Sequence, residues 1–312
     1  MTLRVANAPC SWGVLEFELE GQRSACEQVL AEMASAGYAG TELGDWGFMP
    51  TEPDALCRLL DRFGLELVGA FVPVALCNAA RHEEGVGLAL RTAHLVRRAA
   101  PRAFIVLADD NGRVQQRVQH AGRIAPDQGL TAAQWDTFAR GAERVARAVR
   151  DEAGLRTVFH HHCAGYVETP DEVEALLGRT DPGLLGLCLD TGHWAFGGGD
   201  PLEAVQRHGR RIWHVHFKDF DPAVAARSRE EGWDYFRSVR EGVFCELGRG
   251  AVPLGELLVR LGELGHEGWV VVEQDVLPGM GSPLDSARRS RAYLQQLGVR
   301  QSTTNRARRL VK

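Results

Sequence analysis

Four short stretches of the sequence place histidine or carboxylate side chains at the end of an apolar run. They read FHHHC (159–163), CLDTGHW (188–194), HVHFKD (214–219) and VVEQD (271–275). Asp190 and Glu273 each close such a run, where a buried carboxylate is costly unless it is paired or bound to a metal. Imidazole and carboxylate groups are ligands for divalent ions such as Mn²⁺, Co²⁺, Zn²⁺ and Fe²⁺. The four stretches therefore predict a site for one divalent cation.

The stretch RIWHVHFKD (211–219) carries more polar side chains than a buried strand usually does. Alternate residues of a strand point to the same side, so His214, His216 and Lys218 share one face. If the strand ends at an open mouth, His216 and Lys218 lie at that mouth and His214 lies one layer deeper. We therefore expect His216 to bind the metal and Lys218 to lie beside it.

These residues need a scaffold that brings the ends of consecutive strands together, and the sequence alternates strand and helix patterns along its length. Strands are predicted at 3–9, 39–44, 65–74, 103–108, 156–162, 184–190, 211–219 and 268–275. The eight strand-then-helix units predict an α/β fold, a (β/α)8 TIM barrel with residues 1–298 as a single domain. Chemistry in such a barrel occurs at the C-terminal ends of the strands, where the polar stretches lie.

The connection after the seventh strand is longer than a simple barrel loop. Residues 220–250 contain a predicted extra helix, PAVAARSREEGWDYFRSVREG, and the start of a glycine-rich loop, ELGRGAVP. Long loops at this face of a barrel usually cover the site, so we expect 220–250 to be an insertion over the barrel mouth. Residues 299–312 are basic and polar, and they are predicted to form a disordered tail.

Composition and charge exclude several classes of partner. The chain has 312 residues, of which 45% are hydrophobic and 25% are charged, and its formal net charge is -5. This balance argues against nucleic acid or an anionic membrane as a partner, and no apolar run is long enough for a signal peptide or a membrane span. The seven cysteines are scattered and form no CxxC pair, which is typical of reduced thiols. We therefore expect a cytoplasmic protein that acts on a small molecule, with a homo-oligomer left open.

With further stretches, these motifs make the chain resemble the xylose isomerase-like TIM barrels, the superfamily of sugar isomerases, sugar epimerases and endonuclease IV. Within it, the chain is most similar to the inosose dehydratases and inosose isomerases. The similar stretches span most of residues 5–275 and include NAPCSWG, GYAGTELGDWGFMP, GLELVGAFV, HHHCAGYVETPDEV, CLDTGHWAFGGGDP and GVFCELGRGAV. DTGH, HVHFKD and VVVEQD in this order are specific for the superfamily, but they say much less about the individual activity.

The resemblance implies a metal held by Glu, Asp, His and Glu at the ends of consecutive strands. Three of these ligands match Asp190, His216 and Glu273. The first departs from the sugar epimerases, because the alignment of HHHCAGYVET places His160 where they carry glutamate and His162 at the histidine that follows. A slip of one residue would change this, so His160 and His162 stay alternatives for the first ligand. The expected cofactor is one Mn²⁺, with Co²⁺, Zn²⁺, Fe²⁺ or Mg²⁺ as alternatives.

The resemblance also implies the type of reaction. In this family the metal binds a carbonyl oxygen and a neighbouring hydroxyl, and it stabilises the enediolate that forms when a base removes the α-proton. Loss of a β-hydroxyl then gives dehydration, whereas reprotonation gives isomerisation or epimerisation. Since His160 replaces one of the two opposed carboxylates of the epimerases, we expect dehydration of an inosose, a cyclic polyhydroxy ketone. The alternative is a metal-dependent isomerase or epimerase that acts on an inosose or ketose at the same site.

Several residues are candidates for proton transfer in this chemistry. The candidate bases are Glu273 and Glu42, and the candidate acids for the departing hydroxyl are Lys218, His193 and His162. Two of these residues have alternative roles. Lys218 could pair with Asp219 or Glu246, and His193 could orient a metal ligand.

The candidate substrate-binding residues are Trp12, Trp46, His162 and Arg249. Each tryptophan could wall a sugar ring or could equally be structural. Arg249 lies in the ELGRG loop and is a candidate anion ligand, although the spacing of this loop matches no known phosphate-binding motif. We therefore favour an unphosphorylated ketone derived from a polyol.

Two other classes of function fit the sequence less well. A phosphodiesterase like endonuclease IV needs three zinc ions, more ligands and a basic surface, whereas this chain is acidic and has a single set of ligands. A barrel that only binds sugar would not need a complete ligand set.

Overall fold

The computed structural model describes residues 3–13, 25–277 and 279–299, and its centre is a closed barrel of parallel strands. The strands are β1 (Arg4–Asn7), β2 (Gly40–Glu42), β3 (Glu66–Val74), β4 (Phe104–Asp109), β5 (Arg156–His160), β6 (Leu185–Asp190), β7 (Ile212–Phe217), β8 (Asp219–Phe220), β9 (Phe244–Cys245) and β10 (Trp269–Val272). All except β8 and β9 belong to the barrel, in the spatial order β1-β10-β7-β6-β5-β4-β3-β2. The prediction of a (β/α)8 barrel is therefore confirmed.

Helices surround the barrel and connect its strands. They are α1 (Cys26–Ser35), α2 (Pro53–Phe63), α3 (His82–Ala99), α4 (Gln115–Gln119), α5 (Ala132–Ala148), α6 (Pro170–Leu177), α7 (Thr191–Phe196), α8 (Pro201–His208), α9 (Pro222–Glu230), α10 (Tyr235–Arg240), α11 (Leu254–Glu263) and α12 (Pro283–Gln296). Their starts follow ordinary capping rules. At α6, for example, Thr169 and Glu172 form a capping box, and Pro170 is the first helical residue. Among the described residues, no helix is long and apolar enough to cross a membrane.

The inserted segment differs from its predicted form. The single extra helix predicted within 220–250 is wrong, because the structure has two helices there, α9 and α10. Gly232 lies between them at a φ of +65°, a conformation that side chains other than glycine rarely adopt, and Asp234 caps α10. The short antiparallel pair β8 and β9 closes the base of the segment. The outer helix before β10 is α11, which the sequence reading did not assign.

The core has an outer layer between the strands and the helices and a smaller interior inside the barrel. The interior includes Val106, Val158 and Cys188, which lie side by side on β4, β5 and β6. Partly buried aromatic side chains, including Trp213 and Trp269, pack against this interior near the N-terminal ends of the strands. The bottom of the barrel is thus filled, which leaves the C-terminal end for a site.

The predicted tail, 299–312, falls outside the described residues except for Val299. The side chain of Val299 is buried, and its carbonyl oxygen accepts a hydrogen bond from the Arg291 guanidinium at 3.0 Å.

Candidate active site

The predicted metal ligands lie side by side at the C-terminal mouth of the barrel. His160 and Asp190 end β5 and β6, His216 lies one residue before the end of β7, and Glu273 directly follows β10. All of them are at most 9% exposed. One potential ligand atom from each residue lies within 4.8 Å of the others. This convergence follows from the topology, because β5, β6, β7 and β10 are successive neighbours in the barrel.

The distances within this group fit a divalent cation. Asp190 Oδ2 lies 3.8 Å from His160 Nε2 and 4.0 Å from His216 Nδ1. His216 Nδ1 lies 3.2 Å from Glu273 Oε1. Ligand atoms that bind one ion at roughly 2.1 Å are separated from each other by about 3 to 4 Å. Small movements of these side chains would therefore let all four residues bind the same ion.

Two buried atoms at the centre of the group also point to an ion. Within the described part of the chain, His216 Nδ1 and Asp190 Oδ2 have no hydrogen-bond partner. Buried polar atoms are costly unless another group binds them. Together with His160 and Glu273, this nitrogen and this oxygen form a donor set that suits Mn²⁺ or a similar divalent ion.

The geometry separates the two alternatives for the first ligand. His160 lies in the group, with its ring 4.9 Å from the ring of His216. His162 makes other contacts, since its Nδ1 lies 2.5 Å from the carbonyl oxygen of Cys163 and its Nε2 lies 3.5 Å from the Tyr235 hydroxyl. The arrangement therefore favours His160 as the ligand.

Glu42 has contacts that do not suit its predicted role as a base. Its Oε1 accepts hydrogen bonds from Nε2 of His214 at 2.7 Å and from Nε2 of His216 at 3.0 Å. Burial alone would raise the pKa of Glu42, but the two histidines outweigh burial and lower the pKa to about 2. An ionised carboxylate that is bound to two imidazoles, one of them a candidate metal ligand, is a poor candidate for proton abstraction.

Lys218 is a buried cation beside the ligand group. Its Nζ lies 3.2 Å from Asp275 Oδ2 and 3.5 Å from Glu273 Oε2. Burial alone would lower the pKa of Lys218, but the nearby carboxylates, with Asp275 first among them, raise the pKa well above its usual value. The ammonium group therefore stays charged next to Glu273. The alternative pairing with Asp219 or Glu246 is wrong, and Asp275 is a member of the site that the sequence reasoning missed.

His193 is fully buried between Lys218 and the connection that follows β5. Its Nδ1 accepts a hydrogen bond from the backbone N–H of Cys163 at 3.3 Å, and its Nε2 lies 3.4 Å from Lys218 Nζ. Its backbone N–H donates to Asp190 Oδ1 at 2.8 Å. Burial, followed by the effect of His162, holds the pKa of His193 well below its usual value, so the ring is neutral. These contacts suit a residue that orients its neighbours.

Two aromatic side chains of the inserted segment contact the histidines, and the sequence reasoning missed both. The ring of Tyr235, in α10, lies 5.5 Å from the ring of His162. The ring of Phe244, in β9, lies 4.8 Å from the ring of His193 and 4.9 Å from Lys218 Nζ. The available signals were the stretches WDYF and GVFC, but a pattern of this kind does not show which way an aromatic side chain of an insertion points.

No described contact joins Trp12 or Trp46 to the ligand group. Trp12 is buried, and its indole N–H donates to Glu32 of α1 at 2.8 Å. Trp46 is 39% exposed, and the guanidinium of Arg91 lies 4.0 Å from the centre of its ring. The contacts of these two tryptophans therefore support a structural role and not contact with a substrate.

The backbone N–H groups of the ELGRG loop are hydrogen-bonded to a carboxylate of the same chain, the side chain of Asp219. Asp219 Oδ2 accepts hydrogen bonds from the backbone N–H groups of Gly248 at 2.8 Å and Gly250 at 3.0 Å. The side chain of Arg249 is 66% exposed and pairs with Glu246 at 3.2 Å. The predicted anion site at Arg249 therefore has no support, because the loop amides are occupied and the guanidinium pairs with a carboxylate of its own loop.

Comparison with known proteins connects the barrel to a family. A family model described as xylose isomerase-like TIM barrel matches residues 30–297. The chain is 30% identical over 294 residues to an inosose dehydratase of Geobacillus kaustophilus (strain HTA426), with 94% of each chain covered. It is 33% identical over 302 residues to a rhizopine catabolism protein of Rhizobium meliloti, with 96% of this chain and 90% of the relative covered.

A solved structure agrees at the level of the fold. A D-allulose 3-epimerase from Methylomonas sp. matches with a TM-score of 0.67 at 16% identity, covering 95% of this chain and 98% of that chain. At this identity the likeness shows a shared fold alone. The family model, in contrast, covers most of the sequence and includes every candidate metal ligand, so the chain belongs to the xylose isomerase-like TIM barrel family.

Proposed function

We propose that this protein is a metal-dependent dehydratase that acts on an inosose. The observation that carries the proposal is the group of His160, Asp190, His216 and Glu273, with the Lys218 ammonium 3.5 Å from Glu273. This arrangement places a candidate cation site, a carboxylate and a charged proton donor next to each other. The relative named inosose dehydratase, which aligns over 94% of the chain, supports the same reaction.

The four ligands would hold the ion, and the residues around them supply the acid and the base. A divalent ion, with Mn²⁺ expected, supplies Lewis-acid polarisation of a ketone oxygen and a neighbouring hydroxyl. Glu273 removes the α-proton with the carboxylate oxygen that faces Lys218. Lys218 donates a proton to the β-hydroxyl, so that the C–O bond breaks and water leaves. The proton on Glu273 then passes over 3.5 Å to Lys218, which restores both groups.

One observation favours the second candidate, an isomerase or epimerase of an inosose or ketose. The pKa of Lys218 is raised well above its usual value by Asp275 and its neighbours, which weakens this lysine as an acid for a departing hydroxyl. If the β-hydroxyl stays, the proton on Glu273 goes to the former carbonyl carbon instead, and the proton of the neighbouring hydroxyl moves to the former ketone oxygen, so that the carbonyl group changes place. The same ion site and the same base then give isomerisation.

We also propose that residues 220–250 cover the mouth of the barrel domain formed by 1–298. The contacts of Tyr235 with His162 and of Phe244 with Lys218 support this proposal. Aromatic side chains at this place would exclude water from the reacting groups, which strengthens the electrostatic interactions among them.

The proposal is tested by incubating the Mn²⁺-loaded protein with a panel of inososes and ketohexoses and analysing the products. We expect the unaltered protein to turn over an inosose. The variant His160→Ala should lose both the bound metal and the turnover. His162→Ala is the matched variant and should keep the metal. Metal loss in His162→Ala alone would move the first ligand to that residue, and the absence of turnover on the whole panel would contradict the proposed function.

A further inference from the structure

The most informative contact outside the proposed ligand set is the one between Glu42 and two histidines of β7. Glu42 ends β2, which is three strands away from β7 around the barrel, and it is 3% exposed. Its Oε1 is shared by Nε2 of His214 at 2.7 Å and Nε2 of His216 at 3.0 Å. An ionised carboxylate can only accept hydrogen bonds, so each imidazole must present an N–H group at Nε2.

This requirement decides which nitrogen of His216 is left for an ion. A cation binds only a ring nitrogen that carries no hydrogen, so a hydrogen held on Nε2 by Glu42 leaves Nδ1 as the nitrogen that an ion can use. Nδ1 is the atom that faces the other ligands, 3.2 Å from Glu273 Oε1 and 4.0 Å from Asp190 Oδ2. The atom that faces the other ligands is therefore the atom that can bind a cation.

The backbone around Glu42 is built to allow this contact. The pairing of β2 with β3 shifts register between Thr41 and Glu42, which places Glu42 opposite Gly69. A Cβ atom at Gly69 would lie 2.6 Å from Glu42 Oε1, so only glycine leaves room for the carboxylate in this position. The contact thus depends on a bulge and a glycine as well as on the three polar side chains.

We propose that Glu42 is a positioning residue of the metal site, which fixes the tautomer and the ring orientation of His216 so that Nδ1 binds the ion. His214 provides the second hydrogen bond that holds the Glu42 carboxylate in place. The inference rests on the proposed metal site but not on the inosose assignment, because it concerns the binding of the ion alone.

The first test needs no variant and uses the unaltered protein loaded with Zn²⁺, a diamagnetic ion that is suitable for NMR. Long-range ¹H–¹⁵N NMR spectra of the histidine rings report which nitrogen carries the hydrogen and which binds the metal. We expect His216 to show a hydrogen on Nε2 and zinc on Nδ1. Zinc on Nε2 of His216 would overturn the proposal, whether or not any variant folds.

The second test measures the Zn²⁺ affinity of Glu42→Gln by competition with a chelator. Glutamine carries no charge, and its amide oxygen is a weaker acceptor than the carboxylate oxygen that the two imidazoles share, so the variant holds His214 and His216 less firmly. Changes to a partner of this kind weaken metal binding by roughly 10- to 100-fold. The matched control is Glu168→Gln, which alters another buried glutamate, whose carboxylate accepts from the backbone N–H groups of Gly122 and Ala164. We expect this control to bind Zn²⁺ like the unaltered protein.

An affinity of Glu42→Gln equal to that of the control would overturn the inference. Neither measurement contains a sugar, so a failure of the inosose assignment would leave both results interpretable. Conversely, a protein that dehydrates an inosose but binds zinc through His216 Nε2 would refute the role of Glu42 and keep the proposed function.

Discussion

At the scale of the residue, Lys218 is an ammonium group that is 2% exposed and is held by carboxylates. Asp275 Oδ2 lies 3.2 Å away and Glu273 Oε2 lies 3.5 Å away. The loss of one partner of a buried pair leaves an uncompensated charge, which typically costs about 3–5 kcal/mol. Loss of either Lys218 or Asp275 is therefore expected to destabilise the folded protein.

We predict strong coupling between these two residues in a double-mutant cycle. Lys218→Met and Asp275→Asn should each lower the free energy of unfolding in urea, measured with a chelator present. The free energy of unfolding should fall less in the double variant than the sum of the two single losses, and the difference should be on the order of 1–3 kcal/mol. The control is the exposed pair of Arg62 and Glu27, whose coupling should stay below about 1 kcal/mol. Additive losses at Lys218 and Asp275 would show that the buried pair is not an energetic unit.

The sequence could predict some of these residues and not others, for a physical reason. Asp190, His216 and Glu273 each end a strand, so the topology of a barrel suffices to bring them together. One partner of Glu42 is His214, which is 172 residues away on β7, and nothing in either stretch specifies this pairing. The same holds for Asp275, which becomes the partner of Lys218 only when β10 closes the barrel next to β7.

At the scale of the element, the ELGRG loop is organised by a single carboxylate. Asp219 Oδ1 accepts from the backbone N–H groups of Phe220 and Val252, and Oδ2 accepts from those of Gly248 and Gly250. An asparagine at this position would replace one carboxylate oxygen by an NH₂ group, and this donor would then face two backbone N–H donors. The loop geometry therefore depends on the charge of Asp219.

We predict that Asp219→Asn makes the loop accessible to protease. The exposed Arg249 lies in this loop, and trypsin should cleave after it at least about 10-fold faster in the variant, because local opening costs less free energy. Asp221→Asn is the matched control, since it alters the neighbouring cap of α9, where Asp221 accepts from Ala223 and Val224. Equal cleavage rates in Asp219→Asn and the control would refute this view of the loop.

Glu168 connects two further loops at the same end of the barrel. Its carboxylate accepts hydrogen bonds from the backbone N–H groups of Gly122 and Ala164, and burial raises its pKa to about 7. Unfolding restores an ordinary pKa near 4.5. Between these two values the folded state binds more protons than the unfolded state, so stability falls as the pH rises.

We therefore predict that Glu168→Gln removes part of the pH dependence of stability. The free energy of unfolding of the unaltered protein should fall, relative to that of the variant, by on the order of 3 kcal/mol as the pH rises from about 4.5 to 7. The measurement is a series of urea unfolding curves at several pH values. The variant lacks one backbone hydrogen bond, which adds an offset that does not depend on pH. A constant difference over the whole range would contradict the raised pKa of Glu168.

The elements themselves could be predicted only in part. The barrel strands were visible as apolar runs with polar ends, and each lies within about three residues of its predicted bounds. The insertion was not resolved correctly, because a single glycine, Gly232, with Asp234 as a new cap, divides one helical pattern into α9 and α10. Local helix preference favours both readings, and the packing of Tyr235 against His162 is a tertiary contact that the pattern does not contain.

At the scale of the whole molecule, the barrel explains why a site of this kind can form at all. Its interior is filled by apolar side chains toward the bottom, and its mouth collects charged and polar side chains from β5, β6, β7 and β10. Carboxylates and imidazoles at this mouth are costly to bury without an ion. Folding energy from the barrel therefore supports a site that is unfavourable by itself, and this site is the basis of the proposed chemistry.

Dehydration of an inosose by the metal-loaded protein, as we propose it, can be followed directly in solution. The Mn²⁺-loaded protein is incubated with an inosose in D₂O, and the products are followed by mass spectrometry and ultraviolet absorbance. We expect a product that has lost one water molecule, together with growing absorbance from the conjugated ketone. Deuterium at the α-carbon without loss of water would contradict dehydration and identify the protein as an isomerase or epimerase.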